Sequence, residues 1–194
     1  MFHSYSVHSM LCRQMDFSSS WYQIWREEIS NGSPKLEPEM MPVWGVVWDG
    51  MKNRRTMHRK LWEWCVIAQA LDERGFLQNG RRGIGFAVGK EPLSSLFALR
   101  GVGLIASDFI SEGTAQQWLS TGQMGNSLEA IHWPGIISFE EFRTKVQFSN
   151  IDMRDISQVP RGAFDFSWSS CAIEHLGSLE AGFQFADSIL KCNA

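Results

Sequence analysis

The sequence predicts a three-layer α/β protein: a parallel sheet in the order 3-2-1-4, flanked by helices, with a helical N-terminal extension packed at one side. Three observations carry this expectation. From Arg81 onward, short apolar runs alternate with segments of helical period, as strands joined by crossover helices do. One of those runs, RRGIGF, opens directly into a glycine-containing turn and a helix start, AVGKEPLSSLFAL. And 194 residues, 44% of them apolar, suffice for one domain with a sizeable core.

Taken in order, residues 1 to about 20 are polar, serine-rich and aperiodic, and read as poorly ordered. SSSWYQIWREEI (Ser18 to Ile29) reads as a short helix with a serine cap, and NGSPKLEPEMMP (Asn31 to Pro42) as a loop full of helix breakers. A stronger helix runs from Thr56 to about Gly75, with Leu61, Trp64, Cys65, Ala68 and Leu71 on one face and Gly75 as its stop. Residues 82–87 form the first strand, Pro92 to Leu99 a helix with proline in its first turn, and GLIAS (Gly103 to Ser107) the second strand. Thr114 to Thr121 is helical, Val146 to Met153 the third strand and Phe164 to Ser170 the fourth. A last helix spans Ser178 to Leu190, with Leu179, Phe183, Ala186 and Ile189 along one face. The link from Gln123 to Lys145 is long and partly irregular, and reads as an insertion. A boundary near residue 55 separates a partly disordered extension (1–55) from the α/β domain (56–194). Six of the nine tryptophans lie before residue 65, which suits a layer that packs large side chains onto the main core.

Composition narrows the function. A formal charge of -3 offers nothing to attract nucleic acid or an anionic membrane, and the pairs Arg54-Arg55 and Arg81-Arg82 are too short to change that. Four scattered cysteines with no Cys-x-x-Cys pair suit reduced thiols. The N-terminal stretch lacks a basic start and an apolar run, and no segment reaches the roughly 20 apolar residues of a membrane span. A cytoplasmic protein is expected. Cys171 and His175 stand four apart without further ligands nearby, so no metal site is expected. His58 and His132 have no polar context and read as surface residues.

In a doubly wound sheet, ligands bind beyond the carboxyl ends of the strands, near the point where strand order reverses. Three polar features fall at such ends. Gly85-Phe-Ala-Val-Gly89-Lys-Glu91 follows the first strand, Asp108 ends the second about 20 residues after the glycine turn, and Asp152 ends the third. An acid at the end of the second strand can accept hydrogen bonds from both ribose hydroxyls. Asp155 competes with Asp152 for its role. Glu174-His175 suggests acid–base chemistry, since histidine titrates near neutral pH, but reads better as a helix start shaping the pocket floor.

Together these segments resemble the class I S-adenosylmethionine-dependent methyltransferases, in particular the methyltransferase-11-like domain, over roughly Arg81 to Ala194. GIGFAVGKEPL is similar to the family's glycine-rich first motif, LIASDF to its second and VQFSNIDMRDI to its third. FDFSWSSCAIEHL is similar to the family's fourth-strand stretch almost position for position. The resemblance implies a Rossmann-like fold and S-adenosyl-L-methionine as cofactor. Gly85, Ala87, Gly89 and Glu91 would face its methionine part, Asp108 would hold the ribose, Asp152 the adenine amino group, and Met153 would pack on the adenine ring. The acceptor would be a small molecule or a glycan, and no side chain is assigned to catalysis.

The sequence departs from the family in two ways. Gly85 stands where the family has an acid, and Ala87 and Glu91 replace glycines; an alanine held at positive φ would be strained. The chain also stops at LKCNA, before the later strands of the family's sheet. That predicts an incomplete domain, an open fourth-strand edge through which the chain could self-associate, and weak or absent methyl transfer. The alternative reading is a non-catalytic nucleotide-binding or scaffold remnant of such a domain. A nicotinamide dehydrogenase fits less well, because Gly83, Gly85 and Gly89 do not follow Gly-x-Gly-x-x-Gly.

Overall fold

The computed structural model describes residues 12–32, 47, 51, 57–109 and 124–194. The first eleven residues, most of the loop ending at Pro42, Trp44, Trp48, Arg54-Arg55 and the expected helix over Thr114 to Thr121 lie outside them. The described elements are α1 (Ser20–Asn31), α2 (Arg59–Glu73), β1 (Arg82–Phe86), α3 (Leu93–Leu99), β2 (Gly103–Asp108), α4 (Phe139–Lys145), β3 (Val146–Asn150), β4 (Phe166–Ser169) and α5 (Leu179–Leu190). The four strands form one parallel sheet in the order β3-β2-β1-β4. This is the three-layer, Rossmann-like arrangement that the alternation of periods predicts.

The central strand β1 shows how the sheet is covered. Ile84 and Phe86 point to one face, where they meet Phe164, Phe185 of α5 and Ile151 and Met153 of the segment after β3. The opposite face of β1 carries only Gly83 and Gly85. Their missing side chains are replaced by two rings from β4: a Cβ on Gly83 would stand 2.5 Å from Phe166 Cζ, and one on Gly85 would stand 2.5 Å from Trp168 Cε2. Phe97 of α3 closes this aromatic group, edge-on to Phe166 at 5.9 Å and to Trp168 at 5.2 Å. The glycines of RGIGF are thus packing glycines. They let β4 lay aromatic rings across β1, in the register Gly85↔Trp168.

The N-terminal helices belong to the same apolar cluster as this sheet face. Leu61, Trp64, Cys65 and Ala68 of α2 are fully buried, as the predicted stripe requires. Trp25 and Ile29 of α1 are buried beside them, each worth about 1.5–3 kcal/mol relative to exposure. Polar contacts fix the geometry: Trp25 Nε1 donates to Gln69 at 2.8 Å, and Arg100, just after α3, donates to Glu28 while stacking over the Trp25 ring. The described part of the extension is ordered further upstream than its composition suggests. Gln14–Ser18 forms a 3-10 turn whose Phe17 is buried against Tyr22. Ser19 caps α1, as expected of that serine run.

Some elements differ from the sequence reading. The link from Gln123 to Lys145, where no helix is predicted, ends in α4, which Ser138 caps. β3 ends at Asn150, three residues short of Met153, because Asp152 and Asp155 each turn the chain by accepting the backbone N–H two residues on. In α5, the packed residues are Gly182 and Phe185, whereas Leu179 and Phe183 are 84% and 70% exposed. The helix carries two apolar stripes, and period alone does not say which one meets the sheet. Beyond α5, the chain runs parallel to the segment entering β4. Phe164 bridges Asn193, and Ala194 N donates to Phe164 O at 2.8 Å. Among the described residues, no helix is long and apolar enough to cross a membrane.

Candidate functional site

Where β1, β2, β3 and β4 end at their carboxyl sides, they border a cavity of about 460 Å³. That volume lies in the range of small-molecule sites, and the position is the one a doubly wound sheet reserves for ligands. Of the seven residues predicted from the sequence, Ala87, Gly89, Glu91, Asp108, Asp152 and Met153 line it. Gly85 does not. It lies under Trp168 and Val88, and a Cβ there would come within 2.6 Å of Val88 Cγ1. An acid at position 85 is excluded by the aromatic cover of β1.

The turn after β1 is built around two left-handed residues, Ala87 at φ 50° and Gly89 at φ 51°. Ala87 adopts the strained conformation that the sequence raised as a difficulty, at a cost of about 1 kcal/mol. Its neighbours hold it there. Val88 N donates to Ser107 O at 3.0 Å, and Ser107 Oγ donates back to Gly85 O at 2.8 Å, so the turn is pinned to β2 on both sides. The insertion braces it from above: Trp133 Nε1 donates to Lys90 O, and Trp133 N donates to Ser95 Oγ of α3. Cys171, which follows β4 and also lines the cavity, is the other non-glycine residue at positive φ among the described residues, at 52°. Such backbone strain tends to concentrate at functional sites.

Asp108 is the last residue of β2 and is 9% exposed. Its Oδ1 accepts from Phe109 N at 2.9 Å and its Oδ2 from Gly125 N at 3.0 Å. Burial raises its pKa, opposed by the N–H groups of Gly125, Phe109 and Gly89. A carboxylate offers about four acceptor sites, so acceptor capacity remains for a ligand beyond the three backbone N–H groups. Asp152 is differently placed. Arg154 grips both of its oxygens, with Nε at 2.9 and 3.0 Å and Nη2 at 2.6 Å, and holds its pKa below the usual carboxylate range. The same guanidinium stacks over Phe109, 5.5 Å from the ring centre. Met153, buried at 6% exposure, and Ile151 supply an apolar wall beside that pair.

Glu91, also predicted, lines the cavity as a buried acid. It is 5% exposed, its Oε1 accepts from Lys60 Nζ at 3.3 Å, and its Oε2 makes no hydrogen bond of regular geometry. Burial pushes its carboxyl up to about 7, with Lys60 and the nearby Trp64 indole pulling the other way.

The sequence reading missed the contribution of α2. It placed this helix by its apolar stripe alone, yet the polar side of its first turns borders the cavity. Arg59 and Lys60 line it, and Glu63 accepts from Cys171 Sγ at 2.5 Å while paired with Arg59. Burial and the Glu63 carboxylate push the Cys171 thiol up to about 11. The available signal was RKLWE itself, whose charges at the helix start lie off the buried face. Glu174 and His175 lie in a 3-10 turn at the cavity's edge, consistent with a shaping role. Two histidines expected at the surface have structural partners: His58 caps α2, and His132 Nε2 lies 2.7 Å from Ile137 O between Phe139 and Phe142.

No protein-family model matches the chain, and no curated protein matches it. Among solved structures, it is similar to a candidate S-adenosyl-L-methionine-dependent methyltransferase from Methanococcus maripaludis, at 14% identity and a TM-score of 0.42, over 96% of this chain and 63% of that one. It is also similar to a candidate sarcosine dimethylglycine methyltransferase from Galdieria sulphuraria, at 17% identity and a TM-score of 0.42, over 91% of this chain and 55% of that one. The chain therefore spans less than two thirds of the length of either protein. Likeness at this level carries no functional argument.

Proposed function

We propose that the cavity binds S-adenosyl-L-methionine and that the chain carries the cofactor half of a methyltransferase acting on a small molecule or a glycan. The observation that carries this reading is Asp108. A buried carboxylate ends β2 beside a left-handed turn after β1, with acceptor capacity left beyond its backbone donors. Adjacent ribose hydroxyls are the donors such a group takes at this place in the fold. The other residues fit an adenosyl ligand by position. Ile151 and Met153 form an apolar surface for a flat base, Asp152 and Arg154 are a polar pair beside it, and Ala87, Gly89 and Glu91 border the part of the ligand beyond the ribose.

When bound, the cofactor supplies an activated methyl carbon. The protein's part is then to bind, orient and exclude water, which needs no triad of side chains. Nicotinamide binding is the competing enzyme reading. A non-catalytic remnant is the competing non-enzyme reading, favoured by the pairing of β4 on one side only over Phe166–Ser169 among the described residues. That edge, with the exposed Leu179 and Phe183 nearby in sequence, would also serve self-association.

Calorimetry with S-adenosylhomocysteine and with NAD separates the ligand classes. The first should bind and the second should not, and Asp108→Ala should weaken the nucleoside by about 1–3 kcal/mol. Binding of NAD alone would overturn the reading. Methyl transfer assayed across metabolites and glycans then separates enzyme from remnant.

A further inference from the structure

We propose that Cys171 is a methyl-acceptor site of the chain itself: its thiol is a nucleophile, Glu63 the base that takes its proton, and Arg59 the group that holds the base in place. The inference goes beyond the adenosyl reading and rests on it, because the methyl donor is a sulfonium bound in the same cavity. Cys171 Sγ donates to Glu63 Oε2 at 2.5 Å, and Arg59 Nη1 donates to the other oxygen, Oε1, at 2.5 Å. One oxygen of the carboxylate is committed to a cation and the other faces the thiol. A nucleophile within hydrogen-bond reach of a base, which a third group orients, is the pattern of activated nucleophiles.

The fold brings this group to the cavity from two sides. Cys171 and Arg59 both line it, and Cys171 is the one cysteine to do so among the described residues. The register Phe86↔Ser169 makes β1 and β4 leave the sheet side by side. Cys171, two residues past Ser169, therefore borders the same end of the cavity as the turn at Ala87 and Gly89. The backbone of Cys171 is left-handed, a conformation that disfavours a residue with a β-carbon. That strain lies where the thiol meets its base.

At rest the sulfur keeps its proton, since burial and the Glu63 carboxylate both disfavour the thiolate. The step is a base-assisted displacement rather than attack by a standing thiolate. A bond forms between Sγ and the methyl carbon as the bond from that carbon to the donor sulfur breaks. The donor sulfur keeps the bonding pair and becomes a neutral thioether, while the thiol proton passes to Glu63 Oε2. The charges of sulfonium and carboxylate disappear together, nothing is oxidised or reduced, and each chain accepts one methyl group. A donor bound in the cavity is oriented for this transfer. An electrophile free in solution is not, and meets only the protonated thiol.

The test incubates the full chain with S-adenosylmethionine carrying a trideuterated methyl group and maps the label by peptide mass. S-adenosylhomocysteine is titrated calorimetrically into the same preparations. The wild type should take one trideuteriomethyl group per chain, on Cys171 and not on the exposed Cys12. Glu63→Gln keeps an acceptor for the thiol but takes up no proton. It should slow labelling by about a hundredfold or more and leave S-adenosylhomocysteine binding unchanged. Alkylation of Cys171 by iodoacetamide should not slow in this variant, because the carboxylate that disfavours the thiolate is gone. Loss of both reactions together would mark Glu63 as mere support and overturn its role as base, as would undiminished labelling. A wild-type chain that binds S-adenosylhomocysteine yet takes no label on Cys171, or takes as much on Cys12, overturns the site whether or not the variant folds. Failure of S-adenosylhomocysteine to bind the wild type would overturn the adenosyl reading itself, and the acceptor site with it.

Discussion

Glu91 makes the stability of this protein depend on pH in an unusual direction. Its carboxyl moves from an ordinary 4.5 in the unfolded chain to about 7 in the fold, chiefly because it is buried. At about 1.4 kcal/mol per pH unit, the folded state disfavours the ionised form by about 3 kcal/mol. The sign follows from where each state titrates. Below pH 4.5 the group is protonated in both states and costs nothing. Between 4.5 and 7 the unfolded chain ionises first, so stability falls as pH rises. Above 7 the full penalty is present. Glu91→Gln keeps an acceptor for Lys60 and cannot ionise, so it should be close to neutral at pH 5 and stabilising by up to about 3 kcal/mol at pH 8. For a chain of this size that corresponds to roughly 6–12 °C in melting temperature. Urea titrations followed by tryptophan fluorescence at pH 5 and pH 8 would measure it, away from the isoelectric point near 6.0. Unchanged slopes against urea would confirm that stability alone moves. A gap between variant and wild type that stays within about 0.5 kcal/mol from pH 5 to pH 8 would refute the burial argument, since no other property of the substitution titrates there.

Two further outcomes follow from the packing around the site. Gly85→Ala should destabilise by about 1–3 kcal/mol or more, because its Cβ would enter the space of Trp168 and Val88; a urea melt indistinguishable from wild type would show that β4 can shift to admit it. Cys171, with its thiol raised to about 11 and donating to Glu63, should resist iodoacetamide at pH 8 while exposed Cys12 is modified. Peptide mass mapping showing Cys171 alkylated first would contradict the assigned hydrogen bond.

How far the sequence discloses this molecule depends on how local each determinant is. The strand order and the cavity's place follow from alternating periods, which are local signals repeated along the chain. The stripe of α2 is equally local, and every one of its five residues is buried. Gly85 is a different case. Its neighbours in sequence form a turn, but the reason for the glycine is Trp168, more than eighty residues away and adjacent only through the register of β1 and β4. Asp152 keeps its predicted place but is occupied by Arg154, two residues on, which motif spacing does not reveal. The face of α5 that meets the sheet is undecided by period, because the helix has apolar residues on two sides. Glu63 and Lys60 join the site only because α2 packs with its first turns toward the carboxyl ends of the strands, a tertiary fact.

The acids around the cavity fall into two electrostatic kinds, and the difference says which of them can serve a ligand. Asp152 and Glu63 are each paired with a cation on their own segment, Arg154 and Arg59. A ligand donor approaching them competes with a charge two or four residues away, at high effective concentration. Asp108 is held instead by backbone N–H groups, which neutralise it partly and leave acceptor sites free. Glu91 lies between these cases: one oxygen accepts from Lys60, and the Trp64 indole also acts on its carboxyl. Both partners belong to α2, so the protein itself compensates part of its burial. Under the proposed adenosyl reading, Asp108 is therefore the acid best suited to meet ligand hydroxyls, because its N–H donors already compensate its charge and the group carries no cation of its own.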